Sequence, residues 1–168
     1  GAASDLAKQF AASDLPQGAS YAFIGTLIGS FLRFAWGPLC DRFGGAIWTF
    51  VSAIGMAITM AWCGYLVAAA DDPADFTIFM VALLAMFFFA GVGNASTFKQ
   101  MPMIMPKRQA GGAIGFTAAV ASLGPFLVGI ALTLMPTHVF FYSCAIFCVV
   151  CAVICWIRYA KPGAKRPG

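Results

Sequence analysis

Glutamate is absent from this chain of 168 residues, and the six acidic residues are all Asp. They stand at positions 5, 14, 41, 71, 72 and 75, outside the long apolar runs or at their ends. Charged residues make up only 10% of the chain and hydrophobic residues 61%, whereas soluble domains carry roughly 25% charged residues. This composition excludes a soluble globule. It predicts an all-α transmembrane protein whose membrane interior holds no carboxylate.

The chain also lacks the sequence patterns of nucleic-acid-binding proteins, signal peptides and enzymes. Lysine and arginine do not cluster on a polar face that could follow phosphates, so nucleic acid is not expected as a partner. The first residues lack the pattern of a signal peptide, and the chain opens Gly1-Ala2-Ala3 without Met. We therefore interpret it as a piece of a longer protein. The apolar runs contain no nucleophile–base pair, metal-ligand cluster or phosphate-binding loop, so neither an enzyme nor a cofactor is predicted.

Four of the six cysteines recur within one apolar run: Cys144, Cys148, Cys151 and Cys155. Steps of four, three and four residues place them on one face of a helix. A haem attachment site requires Cys-x-x-Cys-His, but Ala152 follows Cys151. We interpret these thiols as small packing groups, with a metal site as the weaker alternative.

Five stretches are long and apolar enough to cross a bilayer, which requires about 20 residues. They cover residues 18–39, 46–70, 76–102, 112–135 and 139–159. The sequence thus predicts an extracytoplasmic lead-in at residues 1–17, a transmembrane bundle at residues 18–159 and a basic tail at residues 160–168.

The charges between the spans predict the topology. The basic residues of the loops and tail all fall on one side of the predicted bundle: Arg42, Lys107, Arg108, Arg158, Lys161, Lys165 and Arg166. The acidic Asp71, Asp72 and Asp75 fall on the other side. The positive-inside rule places the basic side and the C-terminus in the cytoplasm. We therefore expect a multi-pass protein in the lipid bilayer of the inner (cytoplasmic) membrane.

A single arginine, Arg33, interrupts the first span. Small or polar residues share its side of the helix at spacings of three, four or seven: Thr26, Gly29, Ser30 and Gly37. Arginine within a membrane usually faces the bundle interior or a water-filled path. Since the spans hold no acidic partner, an anionic ligand is a natural counter-charge. Two alternatives stay open, namely snorkelling over the roughly 9 Å to the helix end and pairing with an acid elsewhere in a longer protein.

The loop after the first span carries a recognisable motif. Residues 37–45 read Gly-Pro-Leu-Cys-Asp-Arg-Phe-Gly-Gly. This resembles the Gly-x-x-x-Asp-Arg-x-Gly-Gly signature that joins paired helices in the major facilitator superfamily. The resemblance implies that Asp41 and Arg42 form a conformational latch. A charge pair at a helix–loop junction can dock onto a neighbouring helix end in one state and release in another. The alternative is a plain turn that sets topology.

Other segments of the sequence resemble one particular family within this superfamily. Residues 91–102, residues 109–119 and Gly124-Pro125, together with Arg33 eight residues ahead of Asp41, look like the nitrate/nitrite porter (NarK-type) family. The similarity runs over nearly the whole chain and matches the C-terminal half of a twelve-helix fold, helices eight to twelve. It implies two pseudo-symmetric halves that hold nitrate between two arginines, one from each half. Arg33 matches the C-terminal arginine.

The resemblance also implies other substrate-binding positions. Gly112 and Gly115 lie in a segment similar to the second nitrate signature of the family, a glycine-rich helix that crosses a counterpart from the other half. Ordinary packing of small residues is the alternative. Phe98 can cover the flat face of the anion. Asn94 and Ser96 offer uncharged donors beside the cavity, or they bond helix to helix.

The resulting expectation is secondary transport of nitrate and/or nitrite by alternating access, in the service of nitrate assimilation, with the N-terminal half as partner. Because the spans contain no titratable carboxylate or histidine, nitrate/nitrite exchange is chemically simpler than proton symport. The alternatives are a non-transporting membrane scaffold or truncated remnant, and a major facilitator transporter for another small anion.

Substitution of Arg33 tests the anion interpretation. Arginine is a planar fork that can donate two parallel hydrogen bonds to a planar oxyanion, whereas lysine is a point charge. We expect Arg33→Lys, in the complete protein, to abolish nitrate uptake and leave membrane insertion intact. Normal uptake by this variant would contradict the bidentate interpretation.

Overall fold

A computed structural model describes residues 18–69 and 73–163 of the chain. These ranges are helical and contain no strand, which confirms the predicted all-α fold. The helices are α1 (Gly18–Ala35), α2 (Gly37–Phe43), α3 (Gly45–Ala69), α4 (Pro73–Ile104), α5 (Lys107–Ser122), α6 (Gly124–Leu134) and α7 (Thr137–Cys155). A π-helical segment, Trp156–Ala160, continues α7. The predicted lead-in at 1–17, Asp71, Asp72 and the end of the tail lie outside the described residues.

Four helical stretches of the described ranges are long and apolar enough to cross a membrane: Gly45–Ala69, Thr77–Ile104, Lys107–Leu134 and Thr137–Ala160. They correspond to four of the five predicted spans. The first predicted span is represented by α1, whose 18 residues include Arg33 together with several small and polar residues. These residues lower its mean hydropathy, and α1 is not among the four. The protein is a multi-pass membrane protein.

Glycine and proline set the helix boundaries. Gly44, with φ 87°, ends α2, and its N–H donates to the Cys40 carbonyl at 2.9 Å. Such a positive φ favours glycine. The fourth predicted span is divided into α5 and α6 at Leu123, where Pro125 stands in the first turn of α6 and cannot donate a backbone hydrogen bond. In contrast, α4 continues through Pro102 to Ile104, two residues beyond the predicted end.

Four helices pack side by side in the order α1, α4, α3, α7. The close pairs Gly25–Phe87, Gly29–Gly91 and Gly37–Lys99 keep a constant register, so α1 and α4 run parallel. The pairs Gly45–Gln100, Ser52–Gly93 and Gly55–Phe89 run in opposite directions, so α3 is antiparallel to α4. Helix α3 is therefore covered on two sides, by α4 and by α7.

The cysteines of α7 face α3 or lie near it. The Cys148 thiol lies 4.0 Å from the Met60 sulfur, and the buried Cys155 thiol donates to the Ala46 carbonyl at 3.5 Å. Farther along α3, Cys63 and Leu66 form a buried cluster with Ala82 of α4. These contacts are those of small groups that fill a helix interface.

Helices α5 and α6 stand apart from this row. They contact the chain mainly where α5 follows α4 and where α6 precedes α7. Large apolar side chains along them are exposed, including Phe116 at 73% and Leu134 at 78%. This span therefore offers most of its surface to lipid or to another part of a larger protein.

The close contact of α3 with α4 at Gly45 predicts that a larger residue at this position destabilises the protein. A Cβ at this position would lie 2.9 Å from the Ser96 carbonyl oxygen and 3.1 Å from the Gln100 backbone nitrogen. Because backbone atoms cannot rotate away, we expect Gly45→Ala to destabilise the protein by about 1–3 kcal/mol. The measurement is the thermal unfolding midpoint in detergent.

Gly37→Ala is the matched control. A Cβ at Gly37 meets only the flexible end of Lys99, at 3.8 Å, which is an ordinary van der Waals distance. This variant should keep the wild-type midpoint. An equal loss of stability in both variants would contradict the close contact of α3 with α4.

Candidate functional site: Arg33 and the α1–α4 contact

Two glycines bring α1 and α4 into backbone contact one turn before Arg33. A Cβ at Gly91 would lie 2.9 Å from the Gly29 carbonyl oxygen and 3.1 Å from the Gly29 Cα. No side chain fits between the helices at this point. The glycines therefore fix the separation of α1 and α4 beside the arginine, as small residues do in other membrane helix pairs.

The Arg33 guanidinium contacts the Phe98 ring of α4, with 4.9 Å from Cζ to the ring centroid. Arg33 is exposed and Phe98 is half-buried. The helix register places the Arg33 backbone level with Ala95, so the side chain extends about one turn toward the Gly37 end. Phe98 itself lies six residues before the end of α4, which is about 9 Å. The guanidinium thus lies level with the end of α1, which stops at Ala35, and beside the interior of α4.

The ring contact alone does not compensate the charge of Arg33. A cation over an aromatic face gains about 0.5–2 kcal/mol, far less than the cost of holding a charge away from water. Asp75, the one Asp whose side chain the structure describes, lies in the first turn of α4, at the end of that helix away from Phe98. The ring covers the guanidinium from one side, and its N–H donors remain available to a planar anion.

Asn94 and Phe98 lie on the same face of α4, because they are four residues apart. Asn94 is exposed. Its amide therefore stands one turn from the ring that contacts Arg33. Three predicted site residues, Arg33, Phe98 and Asn94, belong to the same surface of the α1–α4 pair.

Ser96 lies elsewhere, which corrects the prediction that it faces the cavity. It is 0% exposed, and its hydroxyl lies 2.9 Å from the Thr49 hydroxyl of α3. The Ser96 hydroxyl donates to the Gly93 carbonyl at 3.0 Å. Since Ser96 and Phe98 are two residues apart, they point to nearly opposite sides of α4. The structure therefore favours the alternative in which Ser96 bonds helix to helix.

Gly112 and Gly115 are not brought to Arg33 within this chain. Both are exposed, and no neighbouring heavy atom lies within 4 Å of a Cβ built on either. They lie on α5, which has few contacts with the helix row. Any partner for this glycine-rich face has to come from outside the described residues.

Comparison of the sequence with family profiles identifies the family of this chain. The profile of the Major Facilitator Superfamily matches residues 1–168, the whole chain. The chain belongs to the major facilitator superfamily. This assignment agrees with the loop motif at residues 37–45 and with the helical, apolar architecture.

Curated relatives within the superfamily carry anion-transport names. The chain is 49% identical over 160 residues to the probable nitrate/nitrite antiporter NarK2 of Thermus thermophilus, covering 90% of this chain and 35% of the relative. It is 27% identical over 166 residues to the nitrate/nitrite transporter NarU of Escherichia coli K12, covering 83% of this chain and 36% of the relative. The chain spans about a third of the length of these relatives.

The superfamily loop motif forms a short helix, α2, that contacts both α3 and α4. Arg42 is exposed at the end of α2, with its guanidinium 5.7 Å from the Phe43 ring centroid. The side chain of Asp41 lies outside what the structure describes. The latch assigned to Asp41 and Arg42 thus stays a prediction.

Polar residues of the α3–α4 interface were missed by reasoning from the sequence. Thr49 and Gln100 join Ser96 in a buried cluster, with Gln100 only 5% exposed. Their helical spacings alone do not reveal this cluster, because it forms between helices that are about fifty residues apart in the chain. One signal was present: Ser96 and Gln100 are four residues apart and so share one face of α4.

Chemical modification can test the contact between Arg33 and Phe98. Phenylglyoxal reacts with accessible guanidinium groups, and the ring covers one side of Arg33. We expect Phe98→Ala to increase the rate of Arg33 modification several-fold, measured by mass spectrometry of the peptide that contains Arg33. Phe116→Ala, which removes an exposed ring on α5, is the control and should leave the rate unchanged. Equal rates in Phe98→Ala and the wild type would contradict the contact.

Proposed function

We propose that this chain is the C-terminal half of a nitrate/nitrite porter, which carries nitrate and/or nitrite across the cytoplasmic membrane by alternating access. The C-terminus lies in the cytoplasm in this proposal, as the distribution of basic residues indicates. The names of the relatives support the substrate class.

The observation that carries the proposal is the contact of the Arg33 guanidinium with the Phe98 ring of α4. Nitrate is a planar monoanion with three equivalent oxygens. The guanidinium edge can donate two parallel hydrogen bonds to two of these oxygens. Asn94 can add an uncharged donor, and the Phe98 ring excludes water from one side. A single positive charge with neutral donors suits a weakly basic anion better than a strongly hydrated one.

The second half of the site is proposed to come from the N-terminal half of the transporter. The exposure of α5, α6 and the Gly112–Gly115 face supports this arrangement, because a polar or helical partner could approach the glycine backbone closely. A second arginine from that half would complete the anion clamp. Binding of the anion would then neutralise the clamp and allow the halves to rock around it.

Exchange of nitrate for nitrite is the proposed mode. The spans of this half contain no Glu or Asp. Their one histidine, His138, lies beside Gly64, at the end of α3 away from Gly45, so the spans offer no proton acceptor near Arg33. Asp41 and Arg42, next to α3 and α4, are proposed to latch the loop in one transport state.

Ligand-dependent stability tests the proposed function. A ligand that binds only the folded protein stabilises it by about 2.7 kcal/mol at a concentration 100-fold above Kd. We expect nitrate and nitrite to raise the unfolding midpoint of the complete transporter, and chloride at equal ionic strength to leave it unchanged. Arg33→Lys should lose the nitrate effect. Arg158→Lys, on the π-helical segment away from the site, should keep it.

The outcomes separate the alternative functions. Stabilisation by chloride as well as nitrate would favour a transporter for another small anion. Absence of stabilisation by any of the three anions would contradict the proposal and favour a non-transporting scaffold.

A further inference from the structure

A group of three polar side chains joins α3 to α4, and we call it the hydroxyl clasp: Thr49, Ser96 and Gln100. Ser96 and Gln100 are buried and Thr49 is half-buried. The Thr49 hydroxyl lies 2.9 Å from the Ser96 hydroxyl and 3.4 Å from the Gln100 Oε1. It also lies 2.9 Å from the Gly45 carbonyl of its own helix. With one hydrogen, Thr49 donates to one of these acceptors at a time. All lie at the point where Gly45 brings the two backbones together.

The hydroxyl clasp and the Arg33 contact lie on opposite sides of α4. Ser96 and Gln100 are four residues apart and face α3, whereas Asn94 and Phe98 are four residues apart and lie toward α1. Helix α4 is thus a rigid spacer between the two. A rotation of α4 that broke the clasp would also move Phe98 away from the guanidinium.

We propose that Thr49 is a positioning residue for the anion site, because its hydroxyl fixes the rotation of α4 and so holds Phe98 against Arg33. The proposal rests on the proposed function for its effect on nitrate, but its structural step does not depend on nitrate. Thr49 contacts α4 and not the anion.

The reason for this role is the nature of the other contacts between α3 and α4. At Gly45, Gly55 and Gly93 the helices meet through glycine, and such smooth surfaces permit several rotations at similar energy. The directional hydrogen bonds of the clasp add a preference for one rotation to the packing contacts of the helix. Without them a smaller fraction of molecules holds Phe98 in place, and the apparent Kd rises as the inverse of that fraction.

Helix α3 provides a matched control in Thr59. Thr59 is buried, at 5% exposure, whereas Thr49 is half-buried. The Thr59 hydroxyl donates within its own helix, to the Gly55 carbonyl at 2.9 Å or the Met56 carbonyl at 3.2 Å. Thr59→Val therefore removes a buried hydroxyl from the same helix without touching the clasp. Thr49→Val removes the clasp donor and keeps the branched shape.

The first experiment measures the equilibrium Kd for nitrate in the complete transporter. We expect Thr49→Val to raise Kd about three- to tenfold, the range that one interhelical hydrogen bond in a membrane protein can supply. Thr49→Ser, which keeps the hydroxyl, should restore the wild-type Kd, and Thr59→Val should not change it. An unchanged Kd in Thr49→Val, or an equal rise in Thr59→Val, would overturn the proposal.

A double-mutant cycle tests the route through Phe98. If Thr49 acts by positioning the ring, Thr49→Val should have no further effect on Kd in a Phe98→Leu background. Additive effects of the two substitutions would show that Thr49 acts elsewhere and would overturn the proposal.

A measurement without nitrate separates this proposal from the proposed function. Phenylglyoxal modification of Arg33 should be faster in Thr49→Val than in the wild type, and unchanged in Thr59→Val. If the wild type binds no nitrate but Arg33 reacts in this pattern, the proposed function fails and the positioning role stands. If the wild type binds nitrate but Arg33 reacts at the same rate in all three proteins, the positioning role fails alone.

Discussion

The contact of the Arg33 guanidinium with the Phe98 ring, between two apolar helices, is the interaction on which the rest of this structure depends. Holding a guanidinium in a membrane span is costly unless a partner compensates the charge. Phe98 provides a ring contact at 4.9 Å, which offsets a part of that cost. On the proposed function, nitrate or nitrite provides the remainder. The ligand is then part of the electrostatic balance of the protein, and the energy of the empty site is high.

Close backbone contacts hold this site in place. Gly29 and Gly91 bring α1 against α4 beside Arg33, and Gly45 brings α3 against the other side of α4. Glycine permits these approaches but gives them no rotational preference. The directional hydrogen bond between the hydroxyls of Thr49 and Ser96 adds a preference for one rotation. In a membrane a misplaced polar group is costly, because lipid offers it no hydrogen bonds. Glycine can therefore set the distance between two helices while hydrogen bonds set their rotation.

Much of the fold could be predicted from the sequence, because apolar length and the chemistry of the breaks are local properties. Four of five predicted spans are long, apolar helices in the structure. The division of the fourth span at Leu123 was not predicted, although Gly124-Pro125 marked it. Arg33, Phe98 and Asn94 were predicted and share one surface. For Ser96 the sequence left two roles open, because residue type alone does not give the rotation of a helix, and the structure favours the helix-to-helix bond. Thr49 was missed because its partners are distant in the chain.

On the proposed function, the same electrostatic constraint predicts obligatory exchange. A transporter whose arginines lack counter-charges when empty should return across the membrane only with an anion bound. The most direct test is uptake of isotopically labelled nitrate by proteoliposomes that contain the complete transporter. The account predicts rapid uptake when the vesicles contain nitrite, little uptake when they contain only an impermeant buffer anion, and no dependence on an imposed pH gradient. Equal uptake into vesicles without internal nitrite or nitrate would contradict it.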